Sequence, residues 1–551
     1  MQRSTPMVLL ALIGFVLTAC APGTIPSGPS SNSASAPAES NRTLVGAIRT
    51  EPDSLAVRPI SSGLFASFAL SRRMFNADLT LPDAKGNPAP YLAEALPQLN
   101  SNTWSVSPDG QMETTWKLKP SLFWHDGTPL TAQDFVFAAQ VYRVPEFGAG
   151  GSRLIRALGE VVAPDEHTVV MRWKQPYPNA DDLTGTDGFP PLPRQILEAP
   201  FQQLDSNAFI NSAFWTREYV GLGPYRMEAW EPGSFFQGVA FDRHVLGRPK
   251  IGRLKVLFIT DVNTALANLL AGEVDMVVDN AINLEQAVTL KNDWERRGAG
   301  TVLYSSLTWQ ATAFQLRPEL VNPHALLDIR VRRALAHTVN KQALSDSVYG
   351  GAIATSEFLA SPLSKWGPAI EGSVQKYPYD VRRGDELMNE AGFAKGSDGF
   401  FTSSSEGRFR AELKTADSPD WVAEMQIMAS DWKKAAFDIQ EAVLPAALSI
   451  DPASRVTFPG MFTSISGQGE GTLGTVTTAQ IPRVENGWRG GSNRGGWSNT
   501  EYDRLFDAFT TTLEAKERGA QVAQMAKVFS EDLPLISLLF LAVPYAHVPA
   551  L

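Results

Sequence analysis

The sequence predicts an α/β fold, and three observations predict it. β-rich runs and helical runs alternate along the chain without a short internal repeat. Residues 255–278 read as strand, helix, strand: "KVLFIT", then "VNTALANLLAG" behind Asp261, then "VDMVV". Apolar residues fill 44% of 551 positions, enough for large cores.

Taken in order, residues 1–19 have the layout of a signal peptide. Arg3 is followed by an apolar run from Met7 to Leu17, too short to span a bilayer, and then by small residues. Leu17-Thr18-Ala19-Cys20 resembles the bacterial lipobox, in which the chain is cut before a cysteine that carries diacylglycerol. Cys20 is the only cysteine, which excludes an intramolecular disulfide and a thiolate metal site. Residues 20–40 are rich in Ser, Pro, Ala and Gly; they cannot bury enough apolar surface to offset ordering and read as a flexible tether.

"TLVGAI", 43–48, reads as the first strand; "TTWKLKP", 114–120, and "HTVVMRW", 167–173, read as further strands. "TAQDFVFAAQVY", 131–142, reads as a helix, with Thr131 and Asp134 as a capping pair. Asp261 caps the next helix, which should bury Ala265, Leu266, Leu269 and Leu270 and stop at Gly272. Asp328 should cap one long helix ending at Gly350-Gly351. Ser418-Pro419-Asp420 opens another, whose stripe of Trp421, Met425, Met428, Trp432 and Ala436 reads as core. "LPLISLLFLAVPYA", 533–546, is interrupted by prolines and reads as a buried strand rather than a membrane span.

The net charge of −10 is spread along the chain with no basic block, which argues against nucleic acid as a partner. Catalytic motifs are missing. The six histidines have no i, i+4 metal pair, and there is no G-x-S-x-G elbow. "GQGEGTLG", 467–474, contains G-x-G-x-x-G, but the β-branched, proline-ended text after it offers no helix N-terminus for a phosphate. It reads as a flexible loop. Neither a cofactor nor a metal site is expected, and the chain is expected not to be an enzyme.

One stretch is far more specific. "LFWHDGTPLTAQDFVFA", 122–138, closely resembles the signature of the bacterial family 5 extracellular solute-binding proteins, the peptide/nickel-type receptors of ABC importers. Further matches follow in family order: "VGLGPYRMEAWEPGS" at 220–234, "LANLLAGEVDM" at 266–276, "LLDIRVRRALAHTVNKQAL" at 326–344, "YPYDVRRGDELMNEAGF" at 377–393 and "NRGGWSNTEYDRL" at 493–505. His125-Asp126-Gly127 itself reads as a turn between strand and helix, an architectural role rather than a ligand contact.

The resemblance implies a periplasmic-binding-protein-like fold of two α/β lobes around a hinge, with an extra domain inserted in the first lobe. Carried over, domain I comprises 41–72, 190–275 and 500–551, domain II comprises 73–189, and domain III comprises 276–499. It implies an extracytoplasmic monomer, anchored to the membrane through Cys20, that encloses a peptide-like solute between domains I and III and delivers it to ABC permease subunits. An opine, a sugar or a metal chelate is an alternative ligand. A secreted hydrolase using the same cleft, or a sensor without a transporter, is the alternative function. By placement, the candidate ligand contacts are Ser61, Ser62, Trp309, Gln310, Trp366, Ser466, Gln468, Glu470 and Trp497. Many peptide receptors of the family carry a domain III aspartate for the peptide amine. Here "TSIS", 463–466, has none, and Glu470 is the nearest acid.

Overall fold

A computed structural model of the chain describes residues 42–57, 73–83, 86–147, 152–183, 188–306, 308–467 and 469–549. The expectations for the leader, the tether, Cys20, Ser61, Ser62 and Gln468 lie outside the described residues.

Two mixed sheets organise the described chain. The first has seven strands in the order Thr301–Ser306, Ala542–His547, Met276–Val277, Thr43–Ile48, Arg253–Phe258, Phe235–Ala240 and Tyr225–Glu231. Its middle three strands are parallel, with Thr43–Ile48 between the other two. The second has six: Ala354–Thr355, Leu535–Phe540, Thr308–Phe314, Met461–Gly467, Arg410–Ala416 and Asp438–Leu444. A separate antiparallel sheet joins Trp104–Val106, Met112–Lys117, Thr168–Trp173 and Leu158–Asp165. Its buried Trp104, Trp116 and Met171 share one core with Ile48, Phe236 and Val256 of the seven-stranded sheet. The four-stranded and seven-stranded sheets therefore form a first body, and the six-stranded sheet with its helices forms a second.

The two bodies are joined by a pair of neighbouring strands. The chain leaves the first sheet after Ser306 and enters the second at Thr308; it returns between Phe540 and Ala542. Both sides of this crossing are hydrogen-bonded ladders, Thr301–Ser306 with Ala542–His547 and Thr308–Phe314 with Leu535–Phe540. A two-strand ribbon between packed bodies is hinge geometry.

Local signals account for much of this. Thr131 and Asp134 form a reciprocal capping box on the helix Ala132–Tyr142. Asp261 caps Val262–Ala271 through the Thr264 N–H at 2.8 Å, and Gly272 ends it at φ 76°. The turn after Trp124 also holds as expected. Gly221 donates its backbone N–H to His125 Nδ1 at 3.1 Å, and Nε2 donates to the Gly223 carbonyl at 3.0 Å. Burial pushes the His125 pKa down to about 4, so the ring stays neutral and serves as a clamp between signature turn and "GLGPY" strand.

Several expectations need correction. The long helix after Asp328 is two helices, Ile329–His337 and Lys341–Tyr349. The Thr338 hydroxyl donates back to the Ala334 and Leu335 carbonyls at 2.9 and 3.1 Å, and Asn340 caps the second helix. Residues 533–546 are two strands, one in each sheet. The segment read as a flexible loop contains a helical turn, Glu470–Leu473. Leu270 is exposed, so the helix after Asp261 buries only Ala265 and Leu269 fully. Sheet membership differs from the expected domain division at two places. Thr301–Ser306 lies in the first sheet. The helices Thr500–Thr511 and Ala515–Asp532 pack through Tyr502, Phe509, Val522 and Phe529 against Trp309 and Leu535 of the second sheet. The chain passes from the first sheet to the second near 307 and back near 541.

Candidate functional site

Where the bodies meet at the crossing lies a cavity of about 590 Å³. Arg49 and Thr50 enter it from the carboxyl end of Thr43–Ile48, and Asp279 and Asn280 from the carboxyl end of Met276–Val277. Leu541 and Ala542 form its floor at the crossing, and Tyr349, Asp420 and Trp421 close it from the second body. Carboxyl ends of parallel strands are where open α/β sheets present ligand sites. The volume is that of a small-molecule pocket.

The local sequence explains how these groups are aimed. Asp279 and Asn280 take left-handed backbone, φ 50° and 63°, a conformation their short polar side chains tolerate better than most. Together they turn the chain sharply at the strand end. Asp420 sits in the first turn of Pro419–Lys434. Partial burial, and then the charge of Glu285, hold its carboxyl above the usual range. The cavity thus presents carboxyl groups from both bodies and one exposed guanidinium, Arg49.

Sequence reading missed this set. Asp420 was legible only as a helix-start acid, and Trp421 only as the first member of a core stripe. The stripe is core from Met425 to Ala436, but Trp421 is half-buried and lines the cavity. The available signal was positional: both residues lie in the first turn of the helix that follows the strand Arg410–Ala416.

The expected contacts sort into three places. Trp309, Ser466 and Trp497 do come together, lining a second cavity of about 60 Å³ within the second body. That volume admits a few waters or a small chemical group, not a whole solute. Its rim is held by the Asn493 amide, which donates to the Val476 and Trp497 carbonyls at 2.9 and 2.7 Å. Trp497 also packs edge-on to Tyr502 and Phe529 and donates to Asp532 at 3.2 Å.

Gln310 is turned away. Strand alternation puts Trp309 and Ala311 on one face and Gln310 on the other. There it is fully buried and donates to Glu424 Oε2 at 2.6 Å. In this arrangement Gln310 belongs to the buried network of the second body and lines neither cavity.

Trp366 and Glu470 form the third place. Glu470 Oε2 accepts from Asn179 at 2.9 Å and Arg518 at 2.6 Å. Oε1 accepts from Lys365 at 2.9 Å and the Trp366 indole at 3.1 Å. Two donors on each oxygen use the carboxylate's acceptor sites. Burial alone would raise its pKa; the charges of Arg518 and Lys365 and the hydrogen bonds overcome that and bring it down to about 2. Glu470 is thus committed to partners within the chain. Among the described residues, no group of His, Cys, Asp and Glu is arranged to hold a metal.

Comparison with known proteins agrees with this architecture. Residues 94–472 match the profile of the bacterial extracellular solute-binding proteins, family 5 Middle. The oligopeptide-binding protein AppA of Bacillus subtilis is 23% identical over 99% of this chain and 94% of its own. A provisionally named ABC transporter peptide-binding protein of Brucella ovis is 27% identical over 54% of this chain; the match spans about half, 52%, of that relative's length. In three dimensions the chain is similar to a periplasmic oligopeptide-binding protein of an oligopeptide ABC transporter from Thermotoga maritima. The TM-score is 0.74 at 20% identity, covering 92% of each chain. The fold is that of the periplasmic binding proteins, and the chain belongs to the bacterial extracellular solute-binding proteins, family 5.

Proposed function

We propose that this chain is the solute receptor of an ABC importer. It captures a peptide-like solute between its two bodies and hands it, unaltered, to a membrane permease. The observation that carries the reading is the cavity of about 590 Å³ at the double crossing, walled by Arg49, Asp279, Tyr349 and Asp420 from both bodies. A solute there bridges the bodies and favours their closure, because it binds the closed arrangement better than the open one. The peptide-like class rests on the names of the relatives, which are peptide-binding proteins. Mass spectrometry should find a solute released from the purified chain on unfolding. Adding that solute back should compact the protein in small-angle scattering, and it should be recovered intact. Steady product formation would instead make the chain a hydrolase.

The extracytoplasmic position rests on the family and on the signal-like residues 1–19, and the anchor on Cys20. Among the described residues, no helix is long and apolar enough to cross a membrane. Cys20→Ser is expected to abolish uptake of labelled fatty acid and to release the protein from the bacterial membrane fraction. Undiminished label in the variant refutes the anchor.

A further inference from the structure

The covalent link between the bodies is the two-strand crossing, but the bodies also touch at a polar cluster whose residues do not line the cavity there. On the first body, Asn179 follows the strand Thr168–Trp173 and is fixed by its buried neighbours Tyr177 and Ala180. On the second, Glu470 and Arg518 pair at 2.6 Å. The Asn179 amide addresses both members of that pair. Its Nδ2 donates to Glu470 at 2.9 Å, and its Oδ1 accepts from Arg518 Nη1 at 3.1 Å. A second bond runs beside it: Arg153 of the first body donates to the Thr510 carbonyl of the second at 3.0 Å. Arg518 is held over the Trp366 and Phe509 rings, 5.2 and 4.3 Å from their centroids, and Trp366 in turn donates to Glu470. The receiving pair is therefore rigid before Asn179 arrives.

We infer that Asn179, acting on the Glu470–Arg518 pair, is a latch that sets the balance between open and closed arrangements of the two bodies, outside the solute cavity. Rotation about the crossing withdraws Asn179 from both partners at once, while the ion pair stays intact within the second body. Closing restores two hydrogen bonds to charged groups, which are stronger than neutral ones. Solute then adds to an equilibrium the chain has already biased, and apparent affinity follows the population of the binding-competent form. The inference does not depend on which solute is carried, because the latch acts in the solute-free chain.

The test uses the full chain in a Cys20→Ser background, with spin labels on cysteines introduced at Leu246 of the first body and Ile450 of the second. These are 63% and 81% exposed. Electron–electron distance measurement on the solute-free protein should give predominantly one short distance. Asn179→Ala should move at least half of the population to longer distances and increase the radius of gyration. Arg153→Ala, which removes the second bond but keeps the Asn179, Glu470 and Arg518 side chains, should shift it in the same direction by less. Distance distributions identical to the parent in both variants, with circular dichroism unchanged, overturn the latch. If Asn179→Ala does not fold, Arg153→Ala alone decides: no shift overturns the inference, and a shift to longer distances supports it.

Discussion

Glu470→Gln is expected to destabilise the chain by about 3–5 kcal/mol at pH 7, the range for removing one member of a buried ion pair. The argument turns on what is left behind. Arg518 is 4% exposed and Glu470 14%. An amide in place of the carboxylate cancels the charge facing Arg518 and sets an N–H₂ group against two of the four donors. Lys365 can swing into water, but Arg518 cannot. The pair itself is worth less than the loss on breaking it. At Arg518, burial outweighs the Glu470 charge and holds the guanidinium below its ordinary value. The pH dependence has a definite sign. Glu470 sits at about 2 in the folded chain against 4.5 as its ordinary value. Its contribution is therefore complete above about pH 4.5 and is lost as pH falls through about 2. Urea denaturation of parent and variant at pH 7, 4 and 3 should show the stability gap narrowing with acid. A gap below 1 kcal/mol at pH 7, or one that stays constant across the series, sinks the prediction.

This residue also marks where sequence reading stops. "GQGEGTLG" was legible as glycine-rich and unsuited to phosphate, and Glu470 as the nearest acid to the family's amine-binding position. Its partners are 291, 105, 104 and 48 positions away, and nothing local announces them. Capping residues and strands were legible because their causes are local: Thr131 with Asp134, Asp261 with Thr264, the strand at 43–48. The break at Thr338 depends on a hydroxyl bonding back to the turn before it and on Asn340 capping the next helix, and neither choice is announced by the apolar pattern. The face of Gln310 depends on parity alone, since a shift of one residue exchanges it with Trp309. Sheet membership of the helices 500–532 depends on a pairing with Trp309 and Leu535, which only the folded core displays. The site divides along the same line. Trp309, Ser466 and Trp497 were named from their placement along the family order, and they share the smaller cavity. Asp279, Tyr349 and Asp420 come from three unconnected segments, brought together by the crossing.

Glu424→Gln is expected to stabilise the chain above neutral pH. Glu424 is fully buried between the second sheet and the helix Lys341–Tyr349. Its oxygens accept from the Tyr349 hydroxyl and from Gln310 at 2.6 Å. Burial raises its pKa to about 7; the two hydrogen bonds lower it and the charge of Asp420 raises it further. The folded carboxyl thus keeps its proton over a range, from about 4.5 to about 7, where the unfolded chain has lost it. Stability falls as pH rises through that window, by about 3 kcal/mol in all, and the penalty is constant above it. An amide of the same shape carries no charge to desolvate. Tyr349 can still donate to its carbonyl, and its N–H₂ can donate to the Gln310 carbonyl oxygen once that side chain flips. Gln310 Oε1 has no partner among the described residues in the parent, so the flip satisfies it. Denaturation at pH 5 and pH 8 should find parent and variant close at pH 5, and the variant ahead by about 1–3 kcal/mol at pH 8. If the variant is the less stable at pH 8, or retains the parent's slope between pH 5 and 8, the charge on Glu424 is not the cause. The buried network with Tyr349 and Gln310 would then be serving the second body as an ionised unit.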